Sequence, residues 1–219
     1  MNITGKGDSI LTNSNILIEE FNNVELDKNL KWFSPPKKWE VNCEKSNLII
    51  KTDKETDFWQ KTHYEFQADN GHFLYYELNG DFRLITRVKS KPKNRYDQAG
   101  LMVRFSKDTW LKTSVEYIPD GNSKLGVVVT NYGYSDWSSQ ELLEDLNSLF
   151  YRITRRGSNY YVDYSIDAIS WKQIRMAHLF EEKDCIKVGI YACSPQGEDY
   201  EAEFDFIKIE NIDNNTKVY

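Results

Sequence analysis

The sequence predicts an all-β protein: a sandwich of two stacked antiparallel sheets, with one short helix set in a loop. Three observations predict it. About twelve short runs along the chain read as strands, most of them alternating apolar and polar residues. Clusters of Pro, Asp, Gly and Asn fall between them where hairpins need turns. A single stretch has helical spacing. One sandwich domain over residues 1–219 accommodates the whole set.

ILIEEF (16–21) is the first strand-like run. The double proline in WFSPPKKW (32–39) forbids a helix and marks a loop or a sheet edge. NLIIKT (47–52) reads as a strand, DFWQKTHYEF (57–66) is rich in aromatics, and ADNG (68–71) is a turn leading into HFLYYEL (72–78). DFRLITRVKS (81–90), QAGLMVRF (98–105) and WLKTSVEYI (110–118) alternate, with turns at 106–108 and 119–122. LGVVVTNY (125–132) is β-branched and reads as buried on both sides. GYSDWSS (133–139) reads as a loop, and SSQELLEDLNSLF (138–150) carries the helical pattern, capped by Ser138 or Ser139. LFYRITRRG (149–157), NYYVDYSID (159–167) and SWKQIRMAHL (170–179) form a meander, and IKVGIYACS (186–194) and YEAEFDFIKIE (200–210) close the chain.

Hydrophobic residues make up 40% of the chain and charged ones 28%, a balance that supports a packed core. The 14% aromatic content suits half-buried sheets, and it suits sugar binding equally, since rings stack on pyranose C–H faces. A net charge of −6 without a basic stripe argues against nucleic acid, and the one basic segment, Lys89 to Arg95, reads as a loop. Cys43, Cys185 and Cys193 have no CxxC spacing, which argues against a disulfide framework and a zinc site. No leader-like start and no apolar run of membrane length is present, so the expectation is a soluble, cytoplasmic protein without membrane contact. No phosphate-binding or dinucleotide fingerprint appears, and no cofactor is expected.

The runs from Gln98 and Trp110 point their odd, apolar members into the core. Their even members are Gln98, Gly100, Met102 and Arg104, then Trp110, Lys112, Ser114 and Glu116. Paired as a hairpin, the two sets share one face, which Val128 and Thr130 extend. That face is either a ligand surface or a solvated side laced with cross-strand ion pairs, Glu116 with Lys112 or with Arg104. Asp136 and Trp137 either orient and stack a ligand or plug the sheet edge. Glu201, Glu203 and Asp205 share a strand face, either a carboxylate set for glycoside hydrolysis or an outer polar face. His63 shares a face with Trp59 if that strand is continuous, and no histidine spacing suggests a metal site.

Five motifs in order, TDFWQKTHYEFQADNGHFLYY, YDQAGLMVRFSKDTWLKTSVEY, VVVTNYGYSDWSS, YRITRRGSNYYVDYSIDAISWKQIRMAHL and VGIYACSPQG with EAEFDF, resemble the DUF1349 family. The resemblance runs from about Trp32 to Phe206. It implies a concanavalin A-like lectin/glucanase fold, a jelly roll whose concave sheet is where glucanases of that fold place their sugar. It therefore implies a groove with Trp59, Trp110 or Trp137 as stacking platforms. Gln98, Arg104, Lys112 and Glu116 would bond a carbohydrate or other polar ligand, with His63, Thr130 and Asp136 at its margins. A eukaryotic member known as a regulator of enolase implies a protein partner as the alternative. Glucanases of this fold use an E-x-D-x-E strand, and the E-x-E-x-D order at 201–205 departs from it. A second departure is Asp167-Ala168, where the family tends to have Asp-Gly; alanine disfavours a left-handed turn, so a different turn type is expected.

Overall fold

The structure, a computed structural model, describes residues 14–63, 65–142, 146, 148–181, 183 and 185–218. The chain begins with β1 (Asn15–Glu19), β2 (Lys31–Phe33), β3 (Lys38–Asn42) and β4 (Asn47–Lys51). A short hairpin follows, β5 (Phe58–Gln60) and β6 (Gln67–Asp69), and then β7 (His72–Leu78) and β8 (Phe82–Lys91). The middle of the chain is β9 (Gln98–Ser106), β10 (Thr109–Glu116), β11 (Lys124–Asn131) and β12 (Tyr134–Glu141). The rest is β13 (Ser148–Arg156), β14 (Asn159–Ser165), β15 (Lys172–His178), β16 (Ile186–Cys193) and β17 (Glu201–Asn211).

These strands build two antiparallel sheets. One runs β15-β14-β13-β8-β17-β4-β3 with β1 added on β17, and the other runs β12-β11-β10-β9-β16-β7-β2. Alternation explains the stacking. Leu84, Val88, Ile153, Val162, Phe204 and Ile209 of the first sheet share one buried cluster with Leu101, Val103, Leu111, Val127, Val188 and Ile190 of the second. Each such side chain contributes about 1.5–3 kcal/mol when fully buried. The architecture is the concanavalin A-like sandwich. The chain flanking Pro35 and Pro36 forms sheet edges, with β2 and β3 each ending a sheet, as a proline pair requires.

Two expectations fail in one region. Residues 134–141 form β12 rather than a loop, residues 138–141 included, and residues 148–150 open β13 rather than ending a helix. Residues 143–145 and 147 of the expected helix lie outside the described residues, and no helix occurs among those described. The reason is position. β12 is an edge strand, mostly exposed, so it needs no apolar alternation, and its ladder to β11 supplies the order. Lys89 and Lys91 also belong to strand β8 rather than to a loop.

The seven-stranded sheet is unusual in being apolar on both faces. A second buried cluster of Phe58, Phe73, Tyr75, Met102, Trp110, Val128, Tyr191 and Cys193 lies on its outer side. Hairpin β5–β6 supplies Phe58 to that cluster, at 6.3 Å from the Trp110 ring and 6.3 Å from the Tyr191 ring. This hairpin decides which part of the outer face stays open.

Candidate functional site

The register of the seven-stranded sheet places the even-numbered residues in rows. Trp110 stands opposite Arg104 and Thr130, Lys112 opposite Met102 and Val128, Ser114 opposite Gly100 and Gly126, and Glu116 opposite Gln98 and Lys124. On β12, Ser135, Trp137, Ser139 and Glu141 extend the same four rows. Gln98, Arg104, Trp110, Lys112, Glu116, Thr130 and Trp137 therefore occupy one face, and the structure divides them into a covered part and an open part.

The covered part lies under hairpin β5–β6. Arg104 grips Asp69 with both guanidinium ends, at 2.6 and 2.8 Å, and stacks over Phe33 with its charge 4.6 Å from the ring centre. Lys112 reaches Asp57 at 3.1 Å rather than Glu116, and only 2% of its side chain is exposed. Burial pushes its pKa down, but the neighbouring carboxylates, Asp57 first, outweigh that, and the ammonium is held above its ordinary range. Trp110 is fully buried, with its indole N–H on the Lys107 carbonyl at 3.0 Å, so its ring packs against the hairpin instead of facing solvent. Thr130 is likewise buried, bonded to Ser135 at 2.8 Å, and the Gln60 N–H donates to Ser135 at 2.9 Å. His72 anchors the base of the segment: its Nε2 accepts from the Asp53 N–H at 2.9 Å, and its Nδ1 lies 2.7 Å from the Ser34 carbonyl, which fixes the proton on Nδ1.

Beside the covered part runs a row of small residues, Ser139, Gly126, Ser114 and Gly100, crossing four neighbouring strands over roughly 14 Å; Ser139 is exposed, while Gly126, Ser114 and Gly100 are buried. Gly126 is small by necessity: a Cβ there would stand 2.6 Å from the indole nitrogen of Trp137. Trp137 thus lies across the row, 38% exposed, with the Lys124 ammonium 5.7 Å from its ring centre. Tyr191 closes the far end, donating its hydroxyl to Gln98 Oε1 at 3.1 Å. Glu116 lines the next row, partly buried, with no hydrogen bond or close ion pair to any described residue. Burial pushes its carboxyl from 4.5 up to about 7, against the pull of Lys112 and with the help of Asp57. A partly exposed ring, an unspent carboxyl, a cation and the exposed Ser139 hydroxyl on one face can hold a polar ring-shaped molecule.

The remaining candidates stand apart. Trp59 is half-buried against the outer cluster and donates its indole N–H to Thr62 at 2.6 Å. β5 ends at Gln60, and His63 follows in a turn with φ 67°, so the continuous strand that would align His63 with Trp59 does not form. Asp136 points to the other side of β12, toward Arg175 at 3.3 Å. On β17, Glu201 pairs with Lys51 at 2.8 Å, Glu203 with Lys91 at 2.6 Å, and Asp205 with Lys89 at 2.7 Å and Arg87 at 3.3 Å. Those carboxylates form an ion-pair ladder and do not face one another across a cleft. Among the described residues no group of three or more His, Cys, Asp or Glu could hold a metal ion. No described helix is long and apolar enough to cross a membrane.

Sequence reasoning missed Asp57, Asp69, Lys124 and Ser139. Asp69 was readable only as part of a turn, and Asp57 only as the start of an aromatic run. Lys124 was within reach, because the pairing through the 119–122 turn sets it opposite Glu116.

The sequence signature of a family described as a protein of unknown function (DUF1349) matches residues 32–212. A relative from Saccharomyces cerevisiae named "Regulation of enolase protein 1" is 37% identical over 177 residues, 81% of this chain and 86% of that protein. The crystal structure of a functionally unknown protein from Saccharomyces cerevisiae superposes with a TM-score of 0.78 at 32% identity, covering 84% of this chain and 98% of that one. A variant of the GH43 protein BlXynB from Bacillus licheniformis superposes with a TM-score of 0.71 at 18% identity, over 89% of this chain and 39% of that one, a likeness of fold alone.

Proposed function

The chain belongs to the DUF1349 family, and from that premise we propose that it is a non-catalytic, lectin-like binding module for a carbohydrate or similar polar ligand. The ligand lies beside Ser139 and Glu116, with one ring face on Trp137. The observation that carries this reading is the exposed Trp137 indole laid over Gly126 beside Glu116, whose carboxyl has no partner among the described residues. Glu116 and Lys124 bond ligand hydroxyls, and Ser139 adds a donor. Arg104 and Lys112 act from beneath by holding hairpin β5–β6 in place. Among the described residues the carboxyl acting on Glu116 is that of Asp57, which Lys112 engages, so the site offers recognition groups rather than an acid and a nucleophile. A cytoplasmic location fits the three free thiols.

A thermal-shift and calorimetry screen against neutral mono- and oligosaccharides tests the proposal. A binding sugar is expected, with affinity falling at least tenfold in Trp137→Ala and in Glu116→Gln. A panel without a binder, or a binder indifferent to both changes, would refute it.

A second reading is a regulatory module that docks on a protein, in line with the name of the yeast relative. Exposed Tyr132 stacked on exposed Phe180, with Tyr134 and Met176 also exposed, favours it. Co-precipitation of a metabolic enzyme that survives Trp137→Ala but not Tyr132→Ala with Phe180→Ala would select this reading.

A further inference from the structure

The chain contains two Asn-Gly pairs, Asn70-Gly71 and Asn79-Gly80, and the fold treats them in opposite ways. Asparagine followed by glycine is chemically labile. Glycine has no side chain to shield its amide nitrogen, and its free backbone rotation lets that nitrogen approach the asparagine side-chain carbonyl. In a folded chain the reaction depends on whether the side-chain amide and the glycine N–H are already engaged.

Asn70 is exposed, yet both groups are engaged. Its Oδ1 accepts the Asp57 N–H at 2.9 Å, its Nδ2 donates to the Glu55 carbonyl at 3.1 Å, and the Gly71 N–H donates to the Asp57 carbonyl at 3.0 Å. Gly71 is itself buried, packed against the Phe58 ring and Cys193 Sγ. Attack there requires these bonds to open first.

Asn79 meets none of these restraints. It lies between Leu78, the last residue of β7, and Phe82, the first of β8, where the chain crosses from one sheet to the other. Asn79 and Gly80 are both exposed. Neither the Asn79 side-chain amide nor the Gly80 N–H bonds to another described residue. Gly80 takes φ 80°, and nothing would stand within 4 Å of a Cβ built there, so the space that ring closure needs is open.

We propose that Asn79 is a site of self-modification, converting to a mixture of aspartate and isoaspartate without an enzyme. The Gly80 nitrogen gives up its proton and bonds to Asn79 Cγ. The Cγ–Nδ2 bond breaks, and ammonia leaves with that proton, giving a cyclic imide. Water then opens the ring. Breaking the new N–Cγ bond yields aspartate, and breaking the bond to the main-chain carbonyl yields isoaspartate, whose backbone runs through the side chain and is a carbon longer. The position gives that extra length a consequence. Leu78 and Phe82 are buried in different sheets. Between them, the Gly80 carbonyl accepts from Arg155 at 3.3 Å and the Asp81 carboxylate accepts the Gly157 N–H at 2.7 Å. A longer backbone at position 79 must be absorbed among those anchors, which strains them. None of this depends on the Trp137 site.

The full chain, kept at pH 8 and sampled over weeks, is digested and the peptides holding Asn70 and Asn79 are followed by mass spectrometry, with a parallel sample in urea. In the folded chain Asn79 should convert at least tenfold faster than Asn70, because Asn70 waits for local opening. In urea the two should convert at comparable rates. Methyl acceptance by the Asn79 peptide in the presence of an isoaspartyl methyltransferase should reveal the longer backbone. The aged parent should melt lower than the fresh one, while Asn79→Gln, at an exposed position, should keep its melting temperature. An Asn79 peptide that stays intact in the folded chain, or equal conversion of Asn70 and Asn79 there, would overturn the proposal. Conversion that leaves the melting temperature unchanged would overturn the structural consequence.

Discussion

At Glu116 a carboxyl is kept where burial opposes its charge, and that has a measurable price. Its pKa of about 7 in the folded chain lies above the ordinary 4.5, so the folded state holds the proton more tightly. A raised pKa stabilises the fold below pH 4.5, and the advantage is lost as pH climbs through about 7. Glu116→Gln should therefore raise stability by about 1–3 kcal/mol at pH 8 and leave it unchanged at pH 4. Urea denaturation at the two pH values checks this, and a loss of stability at pH 8 would show the carboxylate to be structural. Ala168 presents a smaller local strain. It adopts φ 62°, the left-handed geometry that the sequence suggested alanine would avoid. Asp167 accounts for its survival, accepting the N–H groups of Ile169 and Ser170 at 2.8 and 2.7 Å, which holds its carboxyl down at about 2. Ala168→Gly should stabilise the fold by about 0.5–1 kcal/mol, read as a higher melting temperature.

Hairpin β5–β6 is the element that shapes the site, and it was the least legible. The alternation of β9 and β10 correctly placed Gln98, Arg104, Lys112 and Glu116 on one face, since register follows from period two and a short turn. What the pattern could not say is that a distant segment covers half of that face. Asp57 and Asp69 are separated in sequence from Lys112 and Arg104, and no local period links them. β12 was illegible for the opposite reason: an exposed edge strand carries no apolar signal. The hairpin's hold is testable. Asp69→Ala leaves the Arg104 guanidinium buried without its partner and should cost about 3–5 kcal/mol, whereas Asp69→Leu with Arg104→Met should cost clearly less. Hydrogen exchange across residues 57–69 should quicken in the single variant more than in the double one. His72 adds a pH limit to the same segment. Burial lowers its pKa below 6.5, so its contribution is complete above pH 6.5 and is lost as pH falls through the lowered value. The protection of the Asp53 amide, its exchange rate measured against the intrinsic rate at each pH, should fall on acidification below pH 6.5, and a protection that does not change with pH would argue against the His72 anchor.

For the whole molecule, the sandwich is a frame that leaves two unlike openings. The inner faces of both sheets are apolar through most of their length and were readable as core from Leu84, Leu101, Leu111 and Ile153. The outer face around Trp137 is polar, and an end cavity bordered by Ala99 and Tyr151 is lined by apolar and charged side chains alike, Lys89, Asp97 and Glu203 among them. The likeness to a glycoside hydrolase structure fixes the frame and says nothing of the Trp137 face, whose identity rests on its own residues.

The Trp137 face is tested most directly through the tryptophans. The chain has 6 tryptophans, each giving an indole N–H signal that reports its own surroundings. In a titration of labelled protein with a binding oligosaccharide, followed by ¹H–¹⁵N spectroscopy, the signal absent from Trp137→Phe should move to saturation while those of Trp110 and Trp59 stay fixed. If the Trp137 signal stays still while another indole shifts, or if no indole responds, the ligand does not occupy this face.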